Sequence, residues 1–330
     1  MGSAQGAVPL SATRPRPSGL WVSCALAALV LVWGTTWAAI RIGLGGVPPF
    51  TGAAVRFAVS AALLFAAHPL FRLRLDTRPV ARRLWLVNGL LIFFVSYGTV
   101  YLSEQSLPSG LAAILFATFP LMVAALAHFL LPGESASAST WLGVTLGLAG
   151  VTLIYSEDLA ALGGTRARIA ATWFLLSPLA TAIANVLAKR WARDVHPISL
   201  TAVPMAIGAA CLGAAAAFLE RDLPVRWDAP SILSVAYLAL FGSVLTFGLY
   251  FWLLARLPAT KVALVAYGTP VVAVLVGTLF LGEPFTARIG AGALTVLAGV
   301  GVATRGGRPA SKGSASTDPA STDPAERKSA

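Results

Sequence analysis

Ten apolar runs follow one another along the chain, at about residues 20–41, 49–71, 84–103, 109–131, 139–155, 170–189, 198–219, 231–255, 259–281 and 287–304. Most reach the ~20 residues that an α-helix needs to cross a hydrocarbon layer of ~30 Å. Inside such a layer every backbone N–H and C=O must be paired within the protein, and a helix meets that demand with local bonds alone. The runs are too long and too many for a water-soluble core. Hydrophobic residues make up 57% of the 330 and charged residues only 11%, where soluble domains carry roughly 25% charged. The expected fold is an all-α polytopic membrane protein with ten transmembrane helices. The first run follows Arg14 and Arg16 as a secretory signal would, but it is longer than a signal core and has a counterpart later in the chain. It is therefore expected to be retained.

The net charge of +11 is distributed for a membrane, and nucleic acid is not expected as a partner. With the N-terminus inside and the loops alternating, fifteen Lys and Arg residues fall on the inner side. Six fall outside: Arg41, Arg166, Arg168, Arg221, Arg226 and Arg288. The positive-inside bias puts both termini in the cytoplasm. The two cysteines, Cys24 and Cys211, lie in apolar runs and form neither a disulfide framework nor a metal cluster.

The chain also repeats itself. "LPSGLAAILFATFP" (107–120) returns as "LPATKVALVAYGTP" (257–270), each ending in a proline inside an apolar run. "PGE" (132–134) answers "LGE" (281–283), and "LAGV" at 148–151 answers "LAGV" at 297–300. Runs 1–5 thus correspond to runs 6–10. Because five is odd, the second copy enters the membrane from the opposite face, giving two five-helix inverted-topology repeats. Folds on this plan place the substrate near the midplane and move one half against the other. The expected divisions are a cytoplasmic segment 1–18, a first repeat 19–155, a connecting loop 156–169, a second repeat 170–304 and a disordered cytoplasmic tail 305–330. The tail's "STDPASTDPAERKSA" is polar and of low complexity.

These features resemble the EamA-type branch of the drug/metabolite transporter superfamily. The residues that carry the resemblance are "WGTTWAAIRIGL" (33–44), "VRF" (55–57) and the twice-written order of mid-run Pro, Gly-Glu and a Gly-rich last helix. The resemblance implies export or facilitated movement of amino acids and related metabolites across a bacterial inner membrane.

Several residues are candidates for the substrate site. Trp33, Thr36 and Trp37 share a helix face at spacing i, i+3, i+4. Tyr97 and Tyr101 share another, with Asn88 and Ser96 near them in sequence. Ser177, Thr181 and Asn185 follow one another at i, i+4, i+8, and Tyr267 stands just before Pro270. Aromatic rings offer a flat face to apolar cargo and a polar edge, which makes aromatic or apolar amino acids the first expectation. Trp and Tyr also build interfacial belts, and Ser, Thr and Asn also join helices. Arg56 is the one formal charge well inside a run. Either it receives a substrate carboxylate or it is a structural cation. Pro120 and Pro270 are expected to break their helices and line the cavity, since proline removes a helix hydrogen bond. Glu134 and Glu283 each precede a Gly-rich helix and read as caps of it. Gly143-x-x-x-Gly147 permits close helix approach, expected within the chain, so that a monomer suffices.

The runs hold no Asp or Glu, Glu104 coming nearest at the end of the third. Proton-driven carriers place a titratable group on the pathway, so a facilitator or exchanger is expected, with a proton-coupled exporter as the alternative. There is no P-loop, no nucleophile with a base and no HExxH. No enzyme activity, cofactor or metal is expected; the partners are a small metabolite and the lipid bilayer.

Overall fold

The computed structural model describes residues 19–67, 75–131, 136–155, 164–191, 199–254 and 265–306. Among these, all regular structure is helical: α1 (Gly19–Gly43), α2 (Pro49–Ala67), α3 (Pro79–Asn88), α4 (Tyr97–Glu104), α5 (Ser109–Phe116), α6 (Phe119–Leu130) and α7 (Ala138–Tyr155). The second half holds α8 (Gly164–Phe174), α9 (Leu176–Trp191), α10 (Ala202–Leu219), α11 (Ala229–Ala239), α12 (Thr246–Leu254), α13 (Val265–Leu281) and α14 (Ala287–Gly306). Gly89–Ser96 joins α3 to α4 as a π-helical segment, and Leu240–Leu245 does the same between α11 and α12. Seven continuous stretches are long and apolar enough to cross a membrane, with three shorter apolar helices beside them.

Prolines mark several helix starts. Pro49 opens α2, and Pro79 opens α3 after the extended Arg78. A proline in the first turn forfeits no hydrogen bond, and its fixed φ suits the helix. The third membrane stretch accordingly begins at Pro79 rather than near 84. Asp228 caps α11 by accepting from the Ser231 N–H. α8 begins at Gly164 with a left-handed φ of 63°, so residues 164–169, expected as connecting loop, are helical. The N-terminal segment 1–18, residues 156–163, Glu134 and the tail beyond Gly306 lie outside the described residues.

Small residues set the packing distances. Gly143 faces Gly299 and Ala303, and Gly150 faces Gly292 and Val296, so α7 and α14 meet backbone to backbone. The Gly143-x-x-x-Gly147 face is thus occupied within the chain. α1 packs on α13 and α11, while α9 packs on α6 and the π segment Gly89–Ser96; α2 lies on α10, and α5 on α13. Each of these contacts joins the first half to the second. The largest buried cluster runs through Trp37, Phe57, Phe93, Tyr101, Phe174 and Leu212. Outward faces carry Phe129, Phe218, Leu279 and Phe280, all more than two-thirds exposed in the isolated chain. In a bilayer those faces meet lipid tails.

Pro120 and Pro270 behave differently. At Pro120 the stretch divides: α5 ends at Phe116, Ala117 and Thr118 form a turn, and α6 restarts at Phe119. At Pro270 the helix runs on unbroken from Val265 to Leu281, with α1 packed close, since a Cβ on Gly34 would meet Val272 and the Thr269 carbonyl. The expected pair of breaks is therefore one break, at Pro120.

Candidate functional site

Trp33 lies against Tyr250 (5.6 Å between centroids) and Phe247 (6.2 Å). Phe247 continues to Phe93, which stacks on Tyr97 at an interplanar angle of 6°. Tyr97 in turn meets Phe57 edge-on at 4.7 Å. This aromatic chain draws on helices of both halves, and Trp33, Tyr97, Phe247 and Tyr250 are only half-buried. Trp37 belongs to a second group, between Phe116 and Phe174. Trp37 and Tyr101 are both buried in the protein, which removes them from any interfacial belt.

Arg56 is 1% exposed. Its guanidinium lies over the Tyr97 ring at 4.9 Å and near the Phe57 ring at 5.0 Å, donates to Ser243 Oγ at 3.2 Å, and reaches the Tyr101 hydroxyl at 3.5 Å. Among the described residues no carboxylate stands within ion-pair distance of it. Cation–π contacts and hydroxyls replace a counter-ion here, and contacts of this kind strengthen when desolvated. The arrangement fits the structural reading of this arginine.

The remaining candidates divide. Ser96, Ser177 and Thr181 form one hydroxyl network at 2.7 and 2.9 Å. Thr36 bonds back to the Trp33 carbonyl and touches the site of Gly242. Asn185 is exposed and donates to the Thr181 carbonyl of its own helix, outside that network. The side chain of Tyr267 lies outside the described residues. Asn88 is buried, and its Oδ1 has no hydrogen-bond partner.

One end of the bundle is closed by polar contacts that the sequence did not announce. Glu283 accepts from Ser109 N–H (2.8 Å), Ser109 Oγ (2.9 Å) and Gly110 N–H (3.1 Å). It therefore caps α5, in the other half, and not the helix that follows it. The Thr286 hydroxyl accepts from Ile289 N–H at the start of α14 instead. The turn explains the "LGE" motif. Gly282 takes a left-handed φ of 64°, the Glu283 N–H returns to the Gly277 carbonyl, and the side chain is thrown back towards α5. Glu220, at the end of α10, likewise accepts from the N–H groups of Phe50 and Thr51 and from the Thr51 hydroxyl, at 2.7–2.8 Å. Carboxylates at helix N-termini satisfy unpaired donors and the positive end of the helix dipole. Arg226 N–H bonds the Gly46 carbonyl, where a Cβ on Gly46 would stand 2.5 Å from the Arg226 oxygen. Arg41 donates to the backbone carbonyl of Glu104.

Glu104 itself is fully buried, and neither carboxylate oxygen has a hydrogen-bond partner. It is the last residue of the membrane stretch Pro79–Glu104. The inference from acid-free runs to an uncoupled carrier therefore loses its premise. Beside this region a cavity of about 440 Å³ opens among Arg41, Ile42, Ser106, Pro108, Leu281 and Glu283. Of the sequence-based candidate residues none lines it; the cavity sits at the capped end, and the aromatic chain further along the helices.

A bundle of apolar helices with its halves interlocked and one end held by cross-half caps defines a polytopic membrane protein. The EamA-like transporter family matches residues 20–156 and again 168–305, and the chain belongs to that family. It is similar to the "Uncharacterized inner membrane transporter YedA" of Escherichia coli (strain K12), 33% identical over 264 residues, 78% of this chain and 82% of the relative. It is also similar to the "Uncharacterized transporter YoaV" of Bacillus subtilis (strain 168), 26% identical over 279 residues, 84% and 95% of the two chains. A solved crystal structure shares the fold at TM-score 0.63 and 20% identity, covering 87% of this chain and 98% of the other.

Proposed function

We propose that this transporter carries small metabolites, amino acids with apolar or aromatic side chains first, outward by alternating access between two inverted five-helix repeats. The observation that carries the reading is the reciprocity of the cross-half packing. Counting ten spans, the first lies on the ninth and eighth just as the sixth lies on the fourth and third. The second, fourth and fifth lie on their own counterparts, the seventh, ninth and tenth. A shift by five spans maps this contact set onto itself, as a two-fold relation between repeats requires. The π segments Gly89–Ser96 and Leu240–Leu245 also stand about 150 residues apart, and the family matches each half separately.

The half-buried rings of Trp33, Tyr97, Phe247 and Tyr250 supply flat apolar faces with polar edges at the junction of the halves. That chemistry suits an aromatic or branched amino-acid side chain. The capped end is the outer one if the excess of Lys and Arg in the opposite loops sets the orientation. Both termini are then cytoplasmic, in a bacterial inner membrane; the chain works as a monomer, as a facilitator or exchanger or, with the buried Glu104 in a span, as a proton-coupled exporter.

The test is efflux from liposomes holding the purified protein and a mixture of labelled amino acids. Saturable efflux, accelerated by unlabelled amino acid on the other side and reduced in Trp33→Ala and Tyr97→Ala, is the expected result. A flux that rises linearly with concentration and shows no counter-transport would instead describe a channel.

A further inference from the structure

Two of the acids at the capped end, Glu283 and Glu104, are held in opposite ways. Glu283 has three donors on its carboxylate. Glu104 is 0% exposed and has none. Charged side chains at this end of the elements around Glu104 are Arg41 of α1 and Arg56 of α2, with Glu283 at the same end. Arg41 spends a guanidinium N–H on the backbone carbonyl of Glu104, and Arg56 is engaged by Ser243, Tyr101 and the Tyr97 ring. Tyr97 and Tyr101 are the titratable groups on its own helix. From α8 come Arg166 and Arg168, both exposed; α9 carries Lys189 and Arg190 in its last turn. Gly89–Ser96 and α5 contribute no titratable side chain.

A carboxylate without donors, sealed from water, is far more costly to bury than the neutral acid. A second carboxylate at the same end adds to that cost. The acid without donors is the one that takes the proton. We infer that Glu104 is a proton-binding site that keeps this end of the bundle shut, protonated while the end is closed and releasing its proton to solvent when the end opens. This rests on the reading of the two halves as moving parts. The proton leaves to, and returns from, the solvent at the capped end, so it gates the carrier without driving it. Acid on that side favours closure and alkali favours opening, the closed-to-open ratio changing by at most about tenfold per pH unit for one proton.

The test uses spin labels at Gln105→Cys and Phe285→Cys, exposed positions in different halves at this end, with Cys24→Ser and Cys211→Ser. In reconstituted protein the short-distance population is expected to dominate at low pH and to give way to a longer one as pH rises. Glu104→Gln, a mimic of the protonated acid, is expected to hold the short distance at every pH, while Glu104→Asp keeps a pH-dependent shift. A wild-type distribution unchanged across the range, or a Glu104→Gln protein that still shifts, overturns the inference. Should Glu104→Gln fail to fold, infrared spectra of the wild type decide. A protonated-carboxyl band at neutral pH that moves in Glu104→Asp supports the site, and its absence from the wild type overturns it. Neither readout uses cargo, so failure of the amino-acid reading leaves this result intact, and the converse holds.

Discussion

Gly277→Ala isolates the Glu283 cap. A Cβ at Gly277 would collide with Glu283 Oε2 and stand 3.1 Å from both Glu283 Cδ and Ser109 Oγ. The carboxylate must leave its seat on α5. Hydrogen bonds to charged groups are worth about 1.5–3 kcal/mol each, but these three share one partly exposed cap, so about 2–3 kcal/mol is the expected loss for the set. At about 1.4 kcal/mol per factor of ten, the closed-to-open ratio at this end falls about 30- to 150-fold. Alanine is also the better helix former, by up to about 1 kcal/mol, so the helix α13 itself is not weakened. Distance measurements between labels at positions 105 and 285 read the shift, and Gly248→Ala, whose Cβ meets nothing within 4 Å, serves as the silent control. A Gly277→Ala protein with an unchanged distance distribution refutes the assignment of Glu283 as a latch between halves. So does one that unfolds while Gly248→Ala does not.

Arg56→Ala is expected to lower the melting temperature in detergent, by the equivalent of about 1–3 kcal/mol for the lost ring and hydroxyl contacts. Unchanged melting with weaker cargo binding would return Arg56 to the substrate site. Glu220→Ala removes the cap on α2 and is expected to cost about 1–2 kcal/mol, read as faster amide exchange at Phe50 and Thr51. Asp228 is held below the usual carboxylate range by its hydrogen bonds from Ser231. Because the folded value is the lower one, its stabilisation of α11 is present above the ordinary carboxylate value and is lost as pH falls through the depressed one. Exchange at the Ser231 amide should therefore accelerate in acid beyond its intrinsic pH dependence, an effect absent in Asp228→Asn, and equal behaviour of the two proteins would contradict this.

The membrane stretches were legible because length and apolarity decide them without reference to neighbours. The break at Pro120 was legible for the same local reason. The continuity at Pro270 was not, because it depends on what packs against α13 at Gly34. Glu283 was recognised as a cap, but its target lies 174 residues away, and nothing local to "LGE" names α5. Glu220 had no signal at all, since an acid ending an apolar run reads as an ordinary interfacial residue. Glu104 was placed only at the end of the third run, and its burial comes from neighbouring helices. The π segments leave no periodicity in "GLLIFFVS", where every position but the ends is apolar. Trp33 and Tyr97 were found by helical spacing, whereas Phe247 and Tyr250, the partners of Trp33 across the halves, were not singled out.

The central claim is that the two halves open and close this end in turn while cargo crosses. Ser106→Cys and Pro284→Cys place thiols on opposite halves around one cavity, and with Cys24 and Cys211 replaced a reducible bifunctional thiol reagent can tie them together. Counter-transport of the cargo is expected to stop when the link is complete and to return on reduction. Counter-transport that continues undiminished through a fully linked end would contradict the account.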